Sequence, residues 1–225
     1  SHVVVKGAKP YNFHLVTLWV RAPAAHVRAE QLDGATFEVF GSTYVTILGG
    51  DWGPGDEPET SESRISPDGG VLNSYPHDIL LDGLYIHDHN SHDLTQWHNG
   101  GMELIAGYNI TIRNTTFARN VVYDLEVQDF TNPACCQMKY GNAHDVLLES
   151  NWFQHPVLGP PYGPTDANDD QPELQLDPQN GPWKNWTLRR NSFENGPAVV
   201  FDGPPTQFSG FTLVGNIGGS LTQCA

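Results

Sequence analysis

Two glutamates occupy matched places in two short apolar runs: Glu103 in Met102-Glu103-Leu104-Ile105 and Glu126 in Leu125-Glu126-Val127-Gln128. Stacked one above the other on neighbouring strands, their Cβ atoms would stand ~5 Å apart. Two carboxylates that close cannot both stay ionised cheaply unless a cation sits between them or one holds a proton. The pair therefore suits a cation site, a shared proton for acid and base work, or the close carboxyl spacing of a retaining glycosidase. Asp124, Gln128, Asp129, Gln175, Asp177 and Asp202 fall at positions that would extend the pair into an acidic, amide-lined groove. Such a groove fits sugar hydroxyls, with Gln128, Gln175 and Asp202 as contacts, or cations, with Asp124 and Asp177 as further ligands.

Other reactive side chains cluster around these runs. Arg119 and Lys139 flank them, and Tyr123 directly precedes Asp124. Each is a candidate base for taking the proton next to a uronate carboxylate. The segment His87-Asp-His-Asn-Ser-His-Asp-Leu-Thr-Gln-Trp97-His98 packs four of the ten histidines into twelve residues and leads into the Glu103 run. His98 is its candidate base and Trp97 its candidate sugar-stacking ring. No His-Glu-x-x-His pair is present, which argues against a zinc protease. Further on, Asp166, Asn168 and Asp170 keep the alternate spacing of a calcium loop, with Asp177 at its twelfth position. The sixth position is Gln171 where such loops carry Gly, and calcium there is an expectation from spacing alone.

The elements that must position these groups come from internal repetition. Asn109-Ile-Thr-Ile-Arg-Asn-Thr-Thr-Phe117 has copies at Asp78–Ile86, Asp145–Phe153 and Asn185–Phe193, with weaker ones at Tyr44–Trp52 and Gly210–Gly218 and a frayed one at His14–Val20. Each has a polar residue, alternating apolar ones, a polar corner and a further apolar residue. Period-two alternation sends Ile79, Leu81 and Ile86, and their counterparts, inward on a strand. The registers step through residues 45, 79, 110, 146, 186 and 211. Unequal steps around an equal motif mean a constant coil carrying loops of variable length. A second alignment stacks the runs starting at Phe37, Met102, Leu125, Leu174 and Val199, which open each coil and carry the acids.

Short strands stacked in parallel at ~4.8 Å make a parallel β-helix. The chain resembles a right-handed parallel β-helix of the pectate-lyase-like superfamily over roughly residues 37 to 217, on the copies just quoted. The expectation is an all-β, single-stranded helix of about six to seven coils. It forms one domain: 1–36 an N-terminal coil and partial cap, 37–217 regular coils, 218–225 a tail. The resemblance implies a secreted protein acting on a polysaccharide or oligosaccharide, with Ca²⁺ held on the Glu103/Glu126 face.

Composition narrows the function. Twenty-six acids against 11 bases give a net charge of −15, which excludes nucleic acid and anionic membranes as natural partners. No stretch is long and apolar enough for a membrane-spanning helix or a signal peptide. Gly50–Ser63 is acidic and rich in Pro and Gly and reads as a surface excursion, with Trp52 available to a glycan platform. Three cysteines, Cys135, Cys136 and Cys224, leave pairing open and leave oligomeric state unstated. The expected function is a calcium-assisted polysaccharide lyase, with a glycoside hydrolase using the same acids as second reading and a non-catalytic glycan-binding or cell-surface module as third.

Overall fold

A computed structural model of the chain describes residues 2–7, 15–55, 62–68, 74–89, 100–120, 123–128, 143–154, 173–177, 183–194, 199–203, 205–219 and 221–224. Every strand pairing among them is parallel. Consecutive turns of the chain stack strand on strand, which is a parallel β-helix.

The repeat motif forms the long sheet of eight strands, Val3–Lys6, Ala25–Glu30, Thr43–Leu48, His77–Asp82, Gly107–Arg113, Ala143–Glu149, Trp183–Arg189 and Phe208–Val214. Val45, Ile79, Ile110, Val146, Trp186 and Phe211 lie in one register, as the repeats require. The polar residue that opens each copy has a backbone cause. Asp78, Asn109, Asp145 and Asn185 all have φ between 53° and 58°. Short polar side chains tolerate that left-handed conformation better than bulky ones.

A second sheet has two arms that meet on Asp33–Phe40. That strand pairs through its start with Asp51–Trp52 and through its end with Ser63–Ser66. One arm continues through the coil-opening strands Gly100–Ile105, Tyr123–Gln128, Leu174–Asp177, Val199–Asp202 and Leu221–Cys224. The other is a stack of short strands: Asp51–Trp52, Tyr85–His87, Thr116–Ala118, Trp152–Phe153 and Ser192–Phe193. Between the sheets the inward residues stack on their own counterparts. The rings of Phe117, Phe153 and Phe193 lie 4.9 Å apart in succession, and Trp186 stacks on Phe211 at 5.7 Å.

Three details differ from expectation. Leu15–Arg21 is not a frayed copy of the repeat: it pairs with Asp33–Phe40 and belongs to the coil-opening set. Its alternating Leu, Val and Trp fit either kind of strand, and pairing partner rather than pattern decides. Within the acidic excursion, Trp52 is fully buried and meets Phe37 edge-on at 5.2 Å, so it serves the core and not a glycan platform. Just beyond the excursion, Ser63–Ser66 is a strand inserted between Asp33–Phe40 and Gly100–Ile105.

The corner between the long sheet and the short strands is held by a buried amide ladder. Asn191 Nδ2 donates to Leu148 O and Asn216 Oδ1, both at 3.0 Å, while its Oδ1 accepts from Asn151 N at 3.0 Å. Asn151 repeats the pattern one coil earlier, donating to Ile112 O and accepting from Thr115 N. Asn191→Ala strands these buried backbone groups and is expected to cost about 2–3 kcal/mol. Chemical denaturation checks this, and a loss below about 0.5 kcal/mol would mean the ladder does not hold the corner.

Candidate functional site

On the outward side of the coil-opening arm, register places Trp19, Glu38, Arg64, Glu103, Glu126 and Gln175 in one column. Glu103 and Glu126 are direct partners on adjacent strands, as the repeat alignment requires. The face is not a solvated column: Glu103 is 2% and Glu126 3% exposed. Trp19, at one end, is 66% exposed and its indole N–H bonds Glu38.

The two glutamates have different environments. Arg64 Nε stands 2.6 Å from Glu103 Oε2, too poorly aligned for a hydrogen bond and so acting as a charge contact. Its Nη2 binds Glu62, which is also buried. Burial opposes the charge on Arg64, but Glu103 and Glu62 outweigh it and hold the guanidinium protonated. Gln128 Nε2 donates to Glu103 Oε1 and lies 3.4 Å from Glu126 Oε2, so one amide nitrogen touches both carboxyls. Burial, then the charge of Glu103, pushes Glu126 up to about 8. At neutral pH Glu126 therefore keeps its proton, and Glu103 is the carboxyl that stands against Arg64.

Tyr123 completes the group. Its ring lies over Gly100, where an added Cβ would fall 1.8 Å from a ring carbon, so a side chain there would evict it. The hydroxyl donates to Glu62 Oε2 at 2.7 Å and also reaches Glu126. Burial, followed by the charges of Glu62, Glu126 and Glu103, raises Tyr123 well above the usual phenol range, so it is a proton donor rather than a base. Glu62 is itself raised by burial and by Glu103.

The other expected site residues divide. Gln175 is half-buried beside Glu126, and Asp177 stands beside Gln128, where its charge raises Glu126 further. Asp124 is not a groove ligand. It is fully buried at the coil corner, accepts from Asn120 Nδ2 at 2.9 Å, and is raised well above the carboxylate range by burial first. Arg119 is not at the acid pair either. It sits on the short-strand side, bonded to Asp88 and to Tyr85 Oη at 3.0 Å. Its position four residues before Tyr123 suggested a shared site, but the corner at Asn120 turns the two onto different faces. Trp97, His98, Asp129, Cys135, Cys136, Lys139, Asp166, Asn168 and Asp170 lie outside the described residues, as do the side chains of Asp202 and Cys224.

Sequence reasoning passed over Glu62 and Arg64. Ser63-Arg64-Ile65-Ser66 carries one inward apolar residue, Ile65, fully buried. A four-residue strand with one apolar side chain gives almost no periodic signal, and the preceding run of Gly, Pro and acids reads as loop. Among the described residues, no group of three or more His, Cys, Asp or Glu is arranged to hold a metal ion. The buried Glu62, Glu103 and Glu126 are met by the guanidinium, the amide and the phenol instead. No helix among the described residues is long and apolar enough to cross a membrane.

No family model matches the chain, and no curated protein does. Among solved structures the chain is similar to the A-module of the mannuronan C-5 epimerase AlgE6 of Azotobacter vinelandii, with a TM-score of 0.57 and 14% identity. The match covers 100% of this chain and 57% of that one, so the chain spans little more than half of its neighbour. At that identity the likeness establishes the fold, and the chain is a parallel β-helix.

Proposed function

We propose that this protein is an extracellular carbohydrate-active enzyme in which Glu126 and Glu103 act as proton donor and carboxylate partner on a polysaccharide. One observation carries the reading: two register-paired glutamates touch one amide nitrogen, and the Arg64 guanidinium stands 2.6 Å from Glu103. A carboxyl raised by burial and set directly beside a second carboxyl is an arrangement acid–base catalysis can use. The close spacing suits a retaining glycoside hydrolase. Trp19, exposed at the end of the same column, offers a ring face for a sugar.

The steps follow from that arrangement. Glu126 gives its proton to the glycosidic oxygen, and that C–O bond breaks as Glu103 bonds the anomeric carbon. Glu126, now a carboxylate, then takes a proton from water; the hydroxide displaces Glu103 and restores both groups. Arg64 balances the charge on Glu103 in the resting state and as it leaves. Calcium has no fitting set of ligands among the described residues, so no step is drawn through it.

A second reading has support from the neighbour, named as a mannuronan C-5 epimerase. Lyase or epimerase chemistry removes a proton from C5 beside a uronate carboxylate, and Glu103 would be the base. Product analysis separates the two. Hydrolysis of neutral polysaccharides gives new reducing ends, and proton NMR is expected to show the anomeric configuration retained. Unsaturated ends absorbing in the near ultraviolet, from alginate or pectate, would replace the hydrolase with the lyase. Unchanged polymers across both sets would leave a binding module.

A further inference from the structure

The short-strand arm carries a second column of outward side chains. Asp51, Tyr85, Thr116 and Trp152 stand in register on successive strands. Their inward neighbours Trp52, Ile86, Phe117 and Phe153 are all fully buried, which fixes the outward set on the surface. Trp152 is 48% exposed, and among the described residues no ring stacks on it. A half-exposed indole costs apolar hydration that a core position would avoid.

Around Tyr85 the polar side chains are tied into a rigid group. Arg119 donates to Tyr85 Oη at 3.0 Å and to Asp88. His87 stacks on Tyr85 with ring centres 4.3 Å apart, and its ring nitrogens face Asp51 Oδ1 at 2.7 Å and Asp88 Oδ2 at 2.6 Å. Fixed donors and acceptors beside an aromatic face are what sugar recognition uses, because hydroxyls are read by hydrogen bonds and the C–H face by a ring. Tyr85 and Trp152 are two strand steps apart, roughly 10 Å at the parallel spacing, which is about a disaccharide. The acids at this end select against an anionic chain.

We propose that the outer face of the short-strand arm is a carbohydrate-binding surface separate from the acid pair. It takes a neutral polysaccharide laid along the coil axis, with one sugar on Trp152 and hydroxyls two steps away on the Tyr85, His87 and Arg119 group. The inference rests on the carbohydrate reading above but not on catalysis by Glu103 and Glu126.

Affinity electrophoresis of the full chain in native gels tests it, with soluble xyloglucan, galactomannan and mixed-linkage glucan as neutral probes and alginate and polygalacturonate as anionic ones. At least one neutral polymer is expected to retard the protein. Trp152→Ala should weaken that binding about tenfold, while Trp152→Phe holds it within about threefold. Circular dichroism confirms that the variants fold, and Trp152→Gln replaces the alanine variant if that one does not. Equal retardation of Trp152→Ala and parent, retardation by anionic polymers alone, or none at all would overturn the proposal. So would a dimer in sedimentation that Trp152→Ala dissociates, since the face would then belong to a second copy. Retardation that depends on Trp152 in a protein without turnover supports this surface and removes only the catalytic reading.

Discussion

Glu126→Gln is expected to lower kcat on a polysaccharide substrate by about 10²–10⁴-fold, the usual contribution of a positioned general acid. The amide keeps the size and neutrality of the protonated side chain but has no proton to give. Glu103→Gln should be at least as damaging, because an amide cannot bond the anomeric carbon. The two losses separate by leaving group. An aryl glycoside whose phenol departs without protonation should recover much of its rate in Glu126→Gln and none in Glu103→Gln. Thermal melts at pH 5 give the control, with both variants folding as the parent does. Full activity in either variant would remove that residue from the mechanism.

Acidity should stabilise this protein. In the unfolded chain Glu126 ionises in the ordinary carboxylate range, near 4.3, whereas burial and Glu103 hold it at about 8 in the fold. Between those values the folded state binds the extra proton, so stability falls as pH rises, by about 1.4 kcal/mol per pH unit for one such group. Glu62 and Asp124 are raised for the same first reason, burial, and act in the same direction. Asp78, Asp82, Asp88, Asp145 and Glu149 have the opposite sign. Each is lowered, with hydrogen-bonding partners outweighing burial, and the stability each adds is lost as pH falls through its folded value. These groups are more exposed and weigh less. The melting temperature should therefore peak near pH 4–5 and decline towards pH 8 by about 2–4 °C per kcal/mol. Glu126→Gln should flatten part of that decline and melt above the parent at pH 8. A parent more stable at pH 8 than at pH 5 would show that the buried acids are not held protonated.

How much of this was legible in the sequence follows from how each signal arises. The long sheet was readable because each strand repeats a left-handed polar residue, two inward apolar residues and a corner, and five successive pairings keep that register. The pairing of Glu103 with Glu126 came from the same logic applied to the coil-opening strands. Burial of that pair was not readable, since alternation tells inward from outward and not whether an outward face is covered. Arg64 was hidden because its strand is short and follows an acidic excursion. Arg119 was assigned to the wrong face because closeness along the chain says nothing about which side of a corner a side chain leaves. Trp52 and Trp152 show the same limit: each precedes or ends a short run, and only the edge-on packing of Trp52 against Phe37 and the outward register of Trp152 separate core from surface.

The pH dependence of kcat/KM on a neutral polysaccharide tests the central claim most directly, because it reads the protonation state of the acid in the free protein. The expected profile has a descending limb with an apparent pKa near 8, set by Glu126. A rate that stays level from pH 7 to well above that value, or no turnover of any glycan by the folded protein, would contradict the assignment of Glu126 as the proton donor.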